Sequence, residues 1–225
     1  LANNVILTVT DIYGNSSTCE AAVTVVDDTL PIAIAQDVVV QLDASGNGST
    51  SGVLVNNGSS DVCGIASLVL NQNDFTCADV GNANPVILTV TDVNGNIATA
   101  PANVTVIDGV APNAITQDAV VVLDANGNGS ITVADINNGS NDACGVDTVT
   151  VSPSTFDCSN VGNNEVTLTV TDVNNNVSTA TANVVVEDNT NPTAVCQAVT
   201  VTLDANGSAT ITAADVDGGS EDACG

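Results

Sequence analysis

The sequence contains no Lys, Arg or His among its 225 residues, whereas 26 residues are Asp or Glu, so its formal net charge is −26. Phosphate groups are bound through Lys and Arg, so this absence excludes nucleic acid and anionic membrane surfaces as direct partners. The usual His and Lys bases are missing, and Ser and Thr are scattered through the chain. We therefore predict that the protein is not an enzyme.

Aromatic residues and long apolar runs are also scarce. The only aromatic residues are Tyr13, Phe75 and Phe156. A membrane-spanning helix needs about 18 or more consecutive apolar residues, and no such stretch occurs, so we predict no membrane span. Hydrophobic residues nevertheless make up 44% of the chain, which is enough for packed cores and argues against disorder.

One unit of about 80 residues is repeated along the chain. Asp11, Asp92 and Asp172 stand in register within related T-V-T-D segments, with spacings of 92 − 11 = 81 and 172 − 92 = 80. A period this long is typical of an array of small domains rather than of a solenoid, and we expect the chain to be part of a longer array. The predicted domains are the end of one repeat (1–30), two complete repeats (31–111 and 112–191) and the beginning of a fourth (192–225).

The hydrophobic period within a repeat is two residues. In the segment EVTLTVTD, Val166, Leu168 and Val170 alternate with threonines, which predicts a half-buried antiparallel strand. Clusters of Asn, Gly and Asp separate such segments every 8–12 residues or so. About seven short strands in each repeat predict an all-β fold, a tandem array of immunoglobulin-like β-sandwich domains.

Four of the seven cysteines recur at one spacing, since 77 − 63 = 14 and 158 − 144 = 14. We predict disulfides Cys63–Cys77 and Cys144–Cys158, each contributing roughly 3 kcal/mol by closing a short loop. A zinc site is not expected, because the chain has no His and no Cys-x-x-Cys spacing. Disulfides place the protein in an oxidising, extracellular environment.

The remaining cysteines are Cys19, Cys196 and Cys224. The complete repeats have Ala or Thr at the positions equivalent to Cys19 and Cys196, as expected if these positions join the last strand of a repeat to its first. We predict that Cys19, Cys196 and Cys224 pair with cysteines outside the 225 residues. The alternative is that they are free buried thiols.

The chain resembles the hyalin-repeat (HYR) module, an immunoglobulin-like domain of extracellular proteins. The resemblance rests on the D-x-x-x-P segment before Cys196, the T-D-x-x-G-N turn at Asp11, Cys19, and the V-x-V-x-D segment that ends at Asp27. The L-D-A-N-G and D-A-C-G elements look like those of surface proteins of gliding Bacteroidota. The complete repeats depart from the family by lacking the first-to-last-strand cysteines.

The resemblance implies a structural repeat of an extracellular or cell-surface fibre or adhesin stalk, acting as a spacer or filament building block. The partners it implies are neighbouring repeats or further copies of the same protein. The alternative function is a carbohydrate- or surface-binding accessory array of a larger secreted enzyme, with surface glycans as partners.

The segment from residue 124 to residue 135 matches the spacing of an EF-hand-like calcium loop, with Asp124, Asn126 and Asn128 as the first ligands. The other repeats replace several of these residues. The alternative interpretation is a β-hairpin turn, in which Asn-Gly is the favoured sequence. We favour the turn and keep Asp124 as the weaker calcium candidate.

Acidic residues also precede the proline that opens each repeat. Hard carboxylate oxygens with no competing cation suit calcium, and the D-x-C-G turns with Asp61 and Asp142 could complete such sites. The alternative is a set of solvated linker acids. The predicted ligands at these junctions are Asp27, Asp28, Asp108, Glu187 and Asp188.

Overall fold

The computed structural model describes the backbone of residues 2–225 and the side chains from residue 3 onward. The chain divides into two compact units, Leu1–Asp108 and Gly109–Gly225. Strands dominate both units, and the helices in the described residues are single turns of three or four residues. The all-β prediction is therefore confirmed. None of these short helices approaches the length and apolar character that crossing a bilayer requires.

The first unit begins with an antiparallel pair of strands and continues with two further sheets. The first two strands pair from Ala2 with Thr24 to Thr10 with Ser16. The sheet orders are β1-β2, β3-β8-β7-β5 and β4-β6. The elements are β1 (Ala2–Thr10), β2 (Ser16–Thr24), β3 (Val38–Gln41), β4 (Asn47–Ser49), α1 (Gly52–Val55), β5 (Ile65–Leu70), β6 (Asp74–Thr76), a 3-10 helix (Cys77–Asp79), β7 (Asn84–Asp92) and β8 (Ile97–Ile107).

The second unit repeats this arrangement without the leading pair. Its elements are β9 (Ala119–Val122), β10 (Asn128–Ser130), α2 (Val133–Ile136), β11 (Val146–Ser152), β12 (Thr155–Asp157), a 3-10 helix (Cys158–Asn160), β13 (Gly162–Asp172), β14 (Val177–Glu187) and α3 (Ala213–Val216). The four-stranded sheet has the order β11-β13-β14-β9, and β10 pairs with β12 in a second sheet. Strand β9 runs parallel to β14, whereas the other neighbours are antiparallel.

One hydrophobic core joins the two sheets of the second unit into a sandwich. Val166, Leu168 and Val170 on β13 are each 0% exposed, as their alternation with threonines predicts. They pack with Ile131 and Phe156 from the segments that form or follow the two-stranded sheet. The two faces of β13 thus differ as the two-residue period requires.

Six strands form in each complete repeat, rather than about seven. The segment expected to be the first strand makes only isolated bridges, such as Ala35 with Asn56 and Thr116 with Asn137. A side-chain contact also fastens this segment to the four-stranded sheet, because Thr116 Oγ1 donates a hydrogen bond to the Thr181 carbonyl on β14 at 2.8 Å.

The D-A-N-G-N-G segment is a turn, but it does not close a β-hairpin. It connects β9 to β10, and these strands belong to different sheets. The Asp124 carboxylate accepts hydrogen bonds from the amides of Asn126 and Asn128 at 2.8 and 3.0 Å. Gly127 has a φ of 75°, and a Cβ there would lie 2.5 Å from Cys158 Sγ. Glycine is therefore required for both conformation and space.

Candidate cation sites and disulfides at the repeat junctions

The first unit brings three acidic or thiol side chains together where β2 leads into the following repeat. Asp27 follows β2, while Asp61 and Cys63 lie in the loop that precedes β5. One potential ligand atom from each of the three lies within 4.8 Å of the others. Asp27, which was predicted as a ligand at this junction, thus lies beside two residues of a loop more than 30 positions away in sequence.

Backbone amides hold both carboxylates of this cluster in place. Asp27 Oδ1 accepts from the Thr29 amide at 3.0 Å, and Asp61 Oδ1 accepts from the Cys63 amide at 2.7 Å. The second oxygen of Asp27, Oδ2, is buried and has no hydrogen-bond partner among residues 2–225. A buried carboxylate oxygen without a partner is costly, and a bound cation would satisfy it.

A further carboxylate, Asp92, is buried next to this cluster. Asp92 is 1% exposed, and it accepts hydrogen bonds from the amides of Asn94 and Asn96 at 2.8 Å each. The Asn96 side chain binds Asp92 Oδ2 at 2.7 Å and the Asp27 carbonyl at 3.0 Å. The T-D-x-x-G-N turn therefore fastens the linker to the repeat that follows it.

The pKa values of the cluster reflect these contacts. Burial favours the neutral form of Asp92, but the hydrogen bonds from Asn96, Asn94 and Gly95 lower its pKa below the usual value. The adjacent Cys63 thiol and the Thr29 amide lower the pKa of Asp27, against a smaller opposing effect of the Asp92 charge. Asp27 in turn raises the pKa of Cys63. Asp27 and Asp92 thus stay ionised together without any cationic side chain nearby.

The second unit builds the same arrangement independently. Asp188, Asp222 and Cys224 place ligand atoms within 4.8 Å of one another. Asp188 Oδ1 accepts from the Thr190 amide at 3.0 Å, and Asp222 Oδ1 accepts from the Cys224 amide at 2.8 Å. Asp222 Oδ2 is buried and unpartnered within the described part of the chain.

The two clusters have only their carboxylates in common as potential ligands. Cys224 forms a disulfide with Cys158, so it offers no thiolate, and the shared donors are two aspartates in each cluster. Carboxylate oxygens are the donors that Ca²⁺ prefers. Both clusters therefore fit a hard divalent cation better than a thiophilic one.

The predicted disulfide pairing is wrong. Cys158 bonds to Cys224, with Cα atoms 5.1 Å apart, and not to Cys144. Cys63 is a free thiol and so does not pair with Cys77; Cys77 and Cys144 are nevertheless both disulfide-bonded. Cys224, expected to pair outside the chain, has its partner within it.

The strand lengths explain why the nearby cysteines do not meet. Cys144 lies just before β11, which has seven residues, and Cys158 follows β12, which has three. At about 3.3 Å per residue the return path is less than half the outward path. Strand β12 also belongs to the other sheet, so the chain does not return along β11 to bring Cys158 back to Cys144.

Other predicted site residues lie outside these clusters. Asp28 and Glu187 are exposed, and Glu187 accepts a hydrogen bond from the Asn189 side chain at 3.1 Å. Asp108 is half-buried. Cys19 and Cys196 are exposed free thiols, and their pairing with cysteines elsewhere stays a prediction.

The calcium-loop interpretation of residues 124–135 gains no support from the structure. Asp124 is engaged by the turn amides, and Asp135 Oδ2 accepts from the Thr132 amide and hydroxyl at 2.7 Å each, capping the short helix α2. The two carboxylates thus serve separate local structures. The turn interpretation accounts for both.

Sequence reasoning missed Asp222 and Asp92. The signal for Asp222 was present, because the D-x-C-G register repeats at residues 61–64 and 222–225. For Asp92, the sequence showed only that it belongs to a recurring turn motif and did not indicate that it is buried. Its burial depends on the packing of the preceding linker, which a single segment of sequence does not reveal.

No protein-family model matches the chain, and no curated protein matches it. Among solved structures, the chain is similar to domains EC1-3 of mouse clustered PcdhgC3, with 12% identity, 83% of this chain and 77% of that chain covered, and a TM-score of 0.34. It is also similar to the Protocadherin GammaB4 extracellular domain, with 15% identity, 88% and 39% coverage, and a TM-score of 0.37.

A third similarity is to a Ca²⁺-stabilized adhesin that helps an Antarctic bacterium reach out and bind ice. The identity is 16%, the coverage is 83% of this chain and 57% of that chain, and the TM-score is 0.31. The chain thus spans about two fifths of the GammaB4 structure and little more than half of the adhesin structure. Because these TM-scores are low, the fold is assigned from the strand pairing and the hydrophobic core of this chain and not from its similarity to these structures.

Proposed function

We propose that the protein is a non-enzymatic structural repeat array of an extracellular fibre or adhesin stalk, stiffened by Ca²⁺ at its repeat junctions. The observation that carries the proposal is the recurrence of one acidic cluster in two separate units, at Asp27–Asp61 and at Asp188–Asp222. In each cluster one buried carboxylate oxygen lacks a partner. Because the chain has no cationic side chain, a bound external cation can neutralise and satisfy this oxygen.

The extracellular location is supported by the disulfide chemistry. Two cysteine positions recur in register along the repeats, and Cys158, Cys224, Cys77 and Cys144 are disulfide-bonded. Structural disulfides persist in oxidising compartments and are rare in the cytosol. The finer assignment, to hyalin-repeat-like modules of bacterial surface proteins with neighbouring repeats as partners, rests on the sequence motifs.

The alternative of a glycan-binding accessory array has little support in the side chains. Carbohydrate recognition commonly uses exposed aromatic faces, which combine apolar area with a polar edge. Phe75 and Phe156 are 1% and 4% exposed, and Tyr13 is the one exposed aromatic side chain in the described residues, at 85%. A spacer role requires no such platform.

Calcium titration of the intact chain at constant ionic strength tests the proposal. Ca²⁺ at about 100 times its dissociation constant would stabilise the folded state by about 2.7 kcal/mol per site, and calorimetry would show it as a higher melting temperature. Asp188→Asn and Asp222→Asn should abolish the increase assigned to the second unit. The matched control is Glu187→Gln, which removes an adjacent exposed charge outside the cluster and should leave the increase unchanged.

Two results would contradict the calcium proposal. One is an unchanged melting temperature with Ca²⁺. The other is an equal loss of the Ca²⁺ effect in Glu187→Gln and Asp222→Asn, because that result would indicate general charge screening. Free thiols at Cys158 and Cys224 in the protein isolated from its native source under thiol-trapping conditions would instead contradict the extracellular location.

A further inference from the structure

The Cys158–Cys224 disulfide encloses a large part of the second unit. Cys158 begins the 3-10 helix after β12, and Cys224 lies in the D-A-C-G loop 66 positions later. The segment between them contains β13, β14 and α3. The covalent path from residue 158 to residue 224 therefore exists twice, once through the backbone and once through two sulfur atoms.

We propose that this disulfide is a redox-gated bypass that keeps mechanical tension off residues 159–223. When the chain is pulled at its ends, the force that reaches Cys158 crosses the disulfide to Cys224 and leaves through Gly225. The backbone of residues 159–223 bears no tension, because the disulfide holds the Cα atoms of the two cysteines 5.1 Å apart. The inference depends only on this connectivity and stands whether or not the junctions bind Ca²⁺.

The bypass protects the centre of the sandwich and leaves the edge strand β11 under load. Strands β13 and β14 are the central strands of the four-stranded sheet and pair over ten positions, from Gly162 with Val186 to Thr171 with Val177. The edge strand β11 lies between Cys144 and Cys158 and carries the force. This strand can thus detach under tension while the central pair keeps its closed loop.

The protected pair also holds most of the core. Val166, Leu168 and Val184 are each 0% exposed and pack in one cluster with residues of β9 and β12. After the tension is released, β13 and β14 would offer a preformed surface on which β11 can pair again. Because β11 ends at Ser152 and β13 begins at Gly162, this pairing closes only a short loop, which costs little entropy.

Reduction removes the bypass. A dithiol reductant attacks one sulfur through its thiolate, forms a mixed disulfide, and closes its own disulfide as it leaves. Two electrons and two protons pass to the protein, so Cys158 and Cys224 both end as thiols. Both cysteines are half-buried rather than enclosed, and a small dithiol can therefore reach them.

The length that reduction releases follows from the chain geometry. The backbone between the two Cα atoms has 66 steps, and an extended chain spans about 3.3–3.6 Å per residue, or roughly 220–240 Å in all. Subtracting the 5.1 Å already spanned by the disulfide changes this little. The unfolded contour should thus be longer by about 210–235 Å once the bond is absent.

Single-molecule force spectroscopy on the intact chain, tethered at both termini, tests the bypass. The Cys158→Ser/Cys224→Ser variant should unfold to a contour about 210–235 Å longer than the wild-type protein without reductant. The matched control is Cys19→Ser/Cys196→Ser, which removes two free thiols and should leave the contour unchanged. Equal contours for the disulfide variant and the wild-type protein would overturn the proposal.

Dithiol reduction of the wild-type protein under constant force gives a second measurement, which does not require the serine variant to fold. Cys77 and Cys144 are also disulfide-bonded, so their reduction releases length in the wild-type protein and in the variant alike. After dithiothreitol is added, we expect the wild-type protein to show one discrete elongation of about 210–235 Å more than Cys158→Ser/Cys224→Ser, which can be pulled even if it does not fold. Equal numbers of steps in the two proteins would contradict the bypass.

Discussion

Replacing Gly129 by Ala tests whether the D-A-N-G-N-G segment is built by packing or by metal binding. In a calcium loop, this glycine would be required for its backbone conformation. In the structure the glycine of the turn with a positive φ is Gly127, at 75°, and Gly129 does not share that conformation. Gly129 is instead required because β9 approaches it closely.

The steric conflict can be read from the neighbouring side chains. A Cβ on Gly129 would overlap Val121 Cγ1 and lie 3.1 Å from Leu123 Cδ2. The equivalent Gly48 has the same surroundings, with a Cβ 2.5 Å from Val40 Cγ1 and 3.1 Å from Leu42 Cδ2. Because Val121 and Leu123 are buried core residues, they cannot move aside without disturbing the sheet.

Overpacking of this kind typically costs about 1–3 kcal/mol, so Gly129→Ala should destabilise the second unit by that amount. Val121→Ala alone removes two buried methyl groups and should cost about 1.6 kcal/mol or more. In the double variant the new methyl group occupies the space that Val121 vacates. We therefore expect the double variant to lose at least about 1 kcal/mol less than the sum of the single losses.

Differential scanning calorimetry at fixed calcium and salt measures these changes. A loss of 2 kcal/mol should lower the melting temperature of a unit of this size by roughly 5–15 °C. Ser130→Ala, at the adjacent exposed position, serves as the control and should change little. Strict additivity of the two substitutions would refute the steric explanation. A calcium response lost with Gly129→Ala alone would favour the metal loop.

Three further predictions concern single side chains. Asp27→Asn should accelerate alkylation of Cys63 by iodoacetamide near pH 8, because Asp27 raises the pKa of that thiol; an unchanged rate in peptide mapping would contradict this. Leu168→Ala should cost about 2–5 kcal/mol of unfolding free energy in calorimetry, whereas Thr169→Ala on the opposite face should cost far less. Hydrogen bonds in the folded state lower the pKa of Asp124, so its ionised carboxylate stabilises the fold above about pH 3.9, and this contribution is lost as the pH falls through the pKa of the folded state. The difference in unfolding free energy between the wild-type protein and Asp124→Asn should therefore shrink on acid titration below about pH 3.9.

The sequence alone determined the features that depend on local periodicity and register. The alternation of Val166, Leu168 and Val170 with threonines fixed a strand with one buried face, because side chains of a strand point to opposite sides at every step. The junction acids were likewise predicted, since the repeat register places Asp27 and Asp188 just before equivalent prolines.

The tertiary structure decided which of these residues meet. Cys144 and Cys158 are 14 positions apart in sequence, yet Cys158 bonds to Cys224, which is 66 positions away. The turn at Asp124 separates two sheets instead of joining a hairpin because β9 finds its partner in β14 and β10 finds its partner in β12. Spacing along a chain limits only short-range geometry, whereas disulfides and ligand clusters depend on where distant strands pair, and that pairing is set by burial of the common core.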